Sequence, residues 1–177
     1  MRSPNQRFPA GFDGPGTDVT DLGELLVGYL DWYREALTRK LAGLSEERLR
    51  SPVEPLGWSP LGLVKHLGWV ERRWLSWGFA AEDVAVAPPG DDDAEWRVSD
   101  GESTADVLAD YRAATARARE IIAGAALSDR AAVGGRFTTA ESAPTLGRIL
   151  FHLLQEYARH VGHLDIAREL VDGSTGE

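Results

Sequence analysis

The sequence predicts an all-α protein, and within that class a four-helix bundle. Four long stretches repeat their apolar residues at spacings of three and four, the mark of amphipathic helices. Each is opened by an Asp, Ser or Thr suited to capping a helix, and almost no stretch alternates as a strand would. The 177 residues fit one domain at roughly 150 residues per domain. That length can bury about 70% of the unfolded surface. With 43% apolar and 27% charged residues, the composition excludes a globally disordered chain. The expected domain covers 20–172. A loose N-terminal arm, 1–19, and a short tail, 173–177, flank it.

Asp21 opens the first helix, with Glu24 placed as in a capping box. Leu22, Leu25, Leu26, Tyr29, Leu30, Tyr33, Leu37 and Leu41 form its apolar series, and Gly43 is a natural stop. Ser45 to Arg50 has room for one further helical turn. Ser59 and Pro60 open the second helix, because proline at the first helical position loses no hydrogen bond. Its apolar face runs through Leu61, Leu63, Val64, Leu67, Val70, Trp74 and Leu75 to an end near Trp77 and Gly78. A long acidic loop follows over 85–101, containing Pro88, Pro89, Asp91, Asp92 and Asp93. Loops of that length in compact domains tend to be functional or mobile. Ser103 with Asp106 starts the third helix, carried by Val107, Leu108, Tyr111, Ala114, Ala118, Ile121 and Ile122. Gly134 to Thr139 interrupts as a loop or short hairpin. Pro144 or Thr145 then opens a last helix to about Val171, roughly 40 Å long at 1.5 Å per residue. Its face is Leu146, Ile149, Leu150, Leu153, Leu154, Tyr157, Val161, Leu164 and Ile166. Long connections between helices leave room for crossovers.

Charge and composition remove several function classes. Nineteen basic against 28 acidic residues give a net charge of −9, which disfavours a general nucleic-acid binder. No apolar run approaches the roughly 18 residues of a membrane span, and the N-terminus lacks the apolar core of a secretory signal. With no cysteine, disulfides, thiolate metal sites and a cysteine nucleophile are out, which fits a cytoplasmic location. The run Asp91–Asp93 lacks the rest of a calcium loop and reads as solvated.

The histidines carry the chemistry. Three of the four, His152, His160 and His163, lie on the last helix, and His66 lies midway along the second among Leu63, Leu67 and Val70. Glu156 and His160, four apart, stack on one helical face. Burying ionisable groups is costly unless they pair or bind a metal. A set of two histidines and one carboxylate meets that cost and leaves coordination positions open, the catalytic arrangement. Such ligands suit Zn²⁺, with Ni²⁺, Fe²⁺ or Mn²⁺ also accommodated. Spacing alone leaves the plain alternatives open: a core imidazole bonded to a carbonyl at His66, and an exposed pair at 156 and 160. His152 continues the same row and competes for a place among the ligands, while His163 reads as a neighbour to them.

The stretch Ser59-Pro-Leu-Gly-Leu-Val-Lys-His66-Leu-Gly-Trp-Val-Glu71-Arg-Arg-Trp74 resembles the second-helix signature of the DinB superfamily. Ile149-Leu-Phe-His-Leu-Leu-Gln-Glu156-Tyr-Ala-Arg-His160-Val-Gly-His163-Leu-Asp165 is similar to the last helix of its actinobacterial domain-of-unknown-function branch, related to mycothiol-dependent maleylpyruvate isomerase. The resemblance covers most of residues 21–170. It implies a DinB-like four-helix bundle with a divalent metal held by His66, Glu156 and His160. Many members have histidine where Glu156 stands; the mycothiol-dependent isomerase has glutamate there. It also implies a thiol S-transferase or isomerase, with a mycothiol-like thiol as cosubstrate and a small electrophile as partner. The metal would lower the pKa of the bound thiol. Two other functions are compatible with the same residues: a metal-dependent hydrolase using bound water, and a non-catalytic bundle binding a small ligand or metal. Arg72, Arg73, Arg148 and Arg159 are candidates for cosubstrate carboxylates, or are simply solvated. Trp58, Trp69, Trp74 and Trp77 gather at the second helix, with Trp32 and Trp96 elsewhere. They suit core packing, a pocket wall or a homodimer face.

Overall fold

A computed structural model describes residues 14–175. It is all-α: among the described residues no strand forms, and one isolated antiparallel bridge joins Arg130 to Thr145. Helix α1 spans Leu22–Leu41, α2 Glu46–Arg50 and α3 Pro60–Glu71. A π-helical segment, Arg72–Phe79, continues α3; α4 spans Thr104–Ala123 and α5 Leu146–Asp172. No described helix is long and apolar enough to cross a membrane.

Local chemistry sets the starts. Asp21 accepts from the N–H groups of Gly23 and Glu24, both at 2.9 Å. Ser59 caps α3 through Gly62 N–H at 3.0 Å, with Pro60 at the position where a missing N–H costs nothing. Ser103 and Asp106 make a reciprocal capping box at α4, and Thr145, rather than Pro144, caps α5. The 134–139 stretch is a loop with one turn, closed by Gly134 N–H to the Phe137 carbonyl at 3.0 Å. Of the expected N-terminal arm, residues 14–19 are described. Pro15 packs against Gly28, and Gly14 lies against the Tyr29 ring. Residues 1–13, and 176–177 of the tail, fall outside the described residues.

Helix α1 packs on α5 and α3 on α4, while α3 also touches α5 and so links the two pairs. Leu30 and Leu37, Leu63 and Leu67, and Leu146, Leu150, Leu153 and Leu164 are fully buried along these contacts. The apolar series misplaces a few residues. Leu22 is 80% exposed because it starts its helix beyond the packed region, and Ile166 is 52% exposed on the outer side of α5.

The second helix departs from the expected straight run to Trp77. From Arg72 the bonding widens, as in Ala80 N–H to the Leu75 carbonyl at 2.9 Å. This leaves the Trp77 carbonyl to accept from Arg136 N–H at 3.3 Å. A Cβ on Gly135 would fall 2.1 Å from that carbonyl, so only glycine lets the loop lie so close.

A buried polar knot joins all four long helices. Arg34 donates to both carboxylate oxygens of Glu71, each at 2.8 Å, and to Asp31 at 3.0 Å. Tyr157 gives its proton to Glu71 at 2.8 Å, so at 3.0 Å Tyr111 is the donor to Tyr157. Arg119 reaches Asp31 at 2.9 Å. Arg34, Asp31 and Glu71 are each at most 3% exposed, yet their charges are matched. Burial works against the charge on Arg34, but Glu71, Tyr157 and Asp31 outweigh it and hold the guanidinium charged more firmly than usual.

Candidate metal centre

His66 reaches the interior because α3 presents positions 62, 66 and 70 on one side. His160 and Glu156 come from α5, one turn apart. One nitrogen from each histidine and one oxygen from Glu156 all lie within 4.8 Å of one another. Ligands sharing a zinc ion at about 2.0–2.2 Å stand within about 4.4 Å of each other, so the trio is near that separation. The two rings meet edge to face with centroids 4.9 Å apart. Both histidines are buried, at 8% and 7% exposure.

The donor set fits a divalent metal for a specific reason. His66 Nε2 and His160 Nδ1 are buried with no hydrogen-bond partner. An unpaired buried polar group costs about 1–3 kcal/mol, and coordination at His66 Nε2 removes that cost there. Burial first, then the neighbouring His66, and against the pull of Glu156, brings the His160 pKa down to about 4. Its ring is therefore neutral near pH 7, the form that binds metals. His160 Nε2 stands 3.3 Å from Glu156 Oε2.

The orientation of His66 comes from the acidic loop. Its Nδ1 meets Glu95 Oε1 at 2.9 Å, and Arg73 grips the same carboxylate. Partial burial opposes the charge on Glu95, but the hydrogen bonds from His66 and Arg73 prevail and lower its pKa to about 2. An ionised Glu95 only accepts, so His66 donates from Nδ1, and Nε2 is the nitrogen left for a metal. Carboxylates commonly orient metal-binding histidines this way. Trp96 stacks on His66 at 3.9 Å, with planes 16° apart, and stands 5.4 Å from the His160 ring.

Three basic residues tie the loop down. Lys65 donates to the Arg97 carbonyl at 2.8 Å and to Glu102 at 2.9 Å. Arg50 donates to the Glu102 and Ser99 carbonyls at 2.7 and 2.9 Å, and Arg73 holds Glu95. Gly62 makes room: a Cβ there would sit 2.0 Å from the Trp96 carbonyl oxygen. A hollow of about 400 Å³, lined by Leu56, Trp58, Asp93, Trp96 and Arg97, opens beside the loop.

The other expected residues fall around the trio. His152 Nε2 is 3.5 Å from Glu156 Oε1, and its ring lies 4.1 Å from that of Trp74. It flanks the trio without joining it. His163 lies 5.4 Å from His160 and 6.5 Å from Trp58, ring to ring. Arg72 covers the Trp69 ring at 4.7 Å, and Arg73 is committed to Glu95. Arg148 and Arg159 are exposed. Asp91 pairs at the surface with Arg97 at 2.5 Å. Sequence reasoning missed Glu95, whose carboxylate is one of many in an acidic loop with no periodicity. It placed Trp96 in the acidic loop but not against His66.

A family model described as Mycothiol-S-transferase matches residues 25–173 of the chain. No curated protein matches it.

Proposed function

The chain belongs to the mycothiol-S-transferase family, and from that premise we propose that it is a metal-dependent thiol S-transferase built on a DinB-like four-helix bundle, with residues 20–172 acting as one unit. His66, Glu156 and His160 would hold the metal, with zinc the best match to this ligand set. One observation carries the reading: a nitrogen of His66 on α3 lies within 4.8 Å of a nitrogen of His160 and a carboxylate oxygen of Glu156, both on α5. A divalent ion bound there would lower the pKa of a coordinated thiol and leave positions open for it. The protein's own groups do the rest. Glu95 fixes the tautomer and direction of His66. Trp96 shields the histidines from water on one side. With no cysteine in the chain, the reacting sulfur is the cosubstrate's.

Elemental analysis of freshly purified protein tests this. About one divalent ion per chain is expected, and His160→Ala should abolish its retention. In cobalt-substituted protein, mycothiol should perturb the visible spectrum. Protein that purifies without metal and cannot be loaded would overturn the proposal.

A further inference from the structure

We infer that the flank of the metal centre at His152 is a carboxylate-binding subsite for a flat, conjugated electrophile, with Arg136 as its anchor. The inference deepens the proposed function and rests on it for the word electrophile; the anion site itself rests on geometry.

The Arg136 guanidinium lies 4.2 Å from the Trp74 ring centre and 5.9 Å from that of Trp77. Trp74 in turn meets the His152 ring at 4.1 Å, and His152 touches Glu156. A continuous path of contacts thus runs from a cation to the metal centre. The position of Arg136 is built into the backbone. Its N–H binds the carbonyl that the π-helical turn leaves at Trp77, across the close approach that Gly135 permits. π-Helical turns recur at functional sites.

The charge there is unbalanced. Arg136 is half-buried, and no carboxylate among the described residues lies within ion-pair reach of it, of Arg148 or of Arg159. Burial, then the like charge of Arg73, lowers the pKa of Arg136. Arg148 and Arg159, both exposed, lie one turn before His152 and two turns after it on α5. In a chain of net charge −9, a guanidinium held over an aromatic floor with no carboxylate in ion-pair reach marks a place for an anion. A guanidinium fork matches a carboxylate in geometry as well as charge. The indole and imidazole rings below suit a planar body. The buried knot at Glu71 shows the contrast, since every guanidinium there has its carboxylate.

The test is calorimetric titration of the protein as purified with 4-chloro-3-nitrobenzoate and with 4-chloro-3-nitrobenzamide, without thiol and at fixed ionic strength. The acid should bind at least about 10-fold more tightly than the amide, the scale of one charged hydrogen bond. Arg136→Gln should remove that preference, and Arg136→Lys should restore only part of it. Arg148→Gln, at an exposed position, should reduce it while leaving the melting temperature unchanged, which guards against a misfolded Arg136 variant. Equal binding of acid and amide would overturn the subsite. So would a preference that survives both Arg136→Gln and Arg148→Gln, because the carboxylate would then sit on the metal. A parallel titration with N-acetylcysteine and its amide assigns the source. A carboxylate preference confined to that pair would overturn the electrophile assignment. Because the first titration needs neither thiol nor turnover, failure of the transferase reading leaves its result standing, and the reverse also holds.

Discussion

Two buried polar clusters lie side by side on α5, and they are finished differently. At Tyr157 the cluster closes on itself: Arg34, Glu71, Asp31 and the two tyrosines satisfy one another. At Glu156 and His160 the cluster stops short, with two imidazole nitrogens unsatisfied. The two histidines are buried as the knot is, while Glu156 is half-buried. Completion distinguishes a group that holds helices together from one prepared for something brought from outside.

The comparison can be broken most directly at Glu71. Glu71→Ala leaves the buried Arg34 charge with Asp31 alone, a partner it shares with Arg119, so unfolding in urea should show a loss of about 3–5 kcal/mol. In metal-free protein, His160→Leu should move the same transition by less than about 1.5 kcal/mol. It swaps an unpaired polar ring for an apolar side chain. Equal losses in the two variants would erase the distinction.

Next in size is the effect of the orienting carboxylate. Glu95→Gln should weaken metal binding about 10–100-fold, measured by competition with a chromophoric chelator, with little change in metal-free stability. A variant that binds metal as tightly as the wild type would detach Glu95 from the site. Gly62→Ala should act on the same loop from the other side. A methyl placed against the Trp96 carbonyl should displace the indole from His66, seen as a change in tryptophan fluorescence.

The smallest effect concerns acid. Partial burial disfavours the charge on Glu102, but Lys65 and Ser99 hold its pKa below the ordinary 4.5. Its folded pKa is depressed, so its contribution is complete above the unfolded value and fades as pH falls through the folded one. Amide exchange in the 85–101 loop should therefore quicken as pH drops below about 4.5, after correction for intrinsic exchange. Glu102→Gln should remove most of that acid dependence.

Helix starts were legible because caps are local: Asp21, Ser59, Ser103 and Thr145 bond within three residues of themselves. His66, Glu156 and His160 could be singled out because imidazole and carboxylate are conspicuous on apolar helices at a spacing of four. The knot was not legible. Asp31, Arg34 and Glu71 look like ordinary solvated charges until the partner 37 residues away is known. The π-helical turn also left no periodic sign. It frees a carbonyl that Arg136 takes up across the fold. Glu95 became visible only once Lys65, Arg50 and Arg73 had anchored its loop.

Adjacent residues on an α-helix point about 100° apart. Glu156 and Tyr157 therefore use one stretch of backbone for opposite purposes. Rolling α5 about its axis to widen the cavity at Glu156 would pull the Tyr157 hydroxyl off Glu71 and tear the knot. Admission of a substrate must leave that helix stationary. The wall that does not belong to α5 is the strap carrying Trp96, fastened by Lys65, Arg50, Arg73 and His66 and by a missing methyl at position 62.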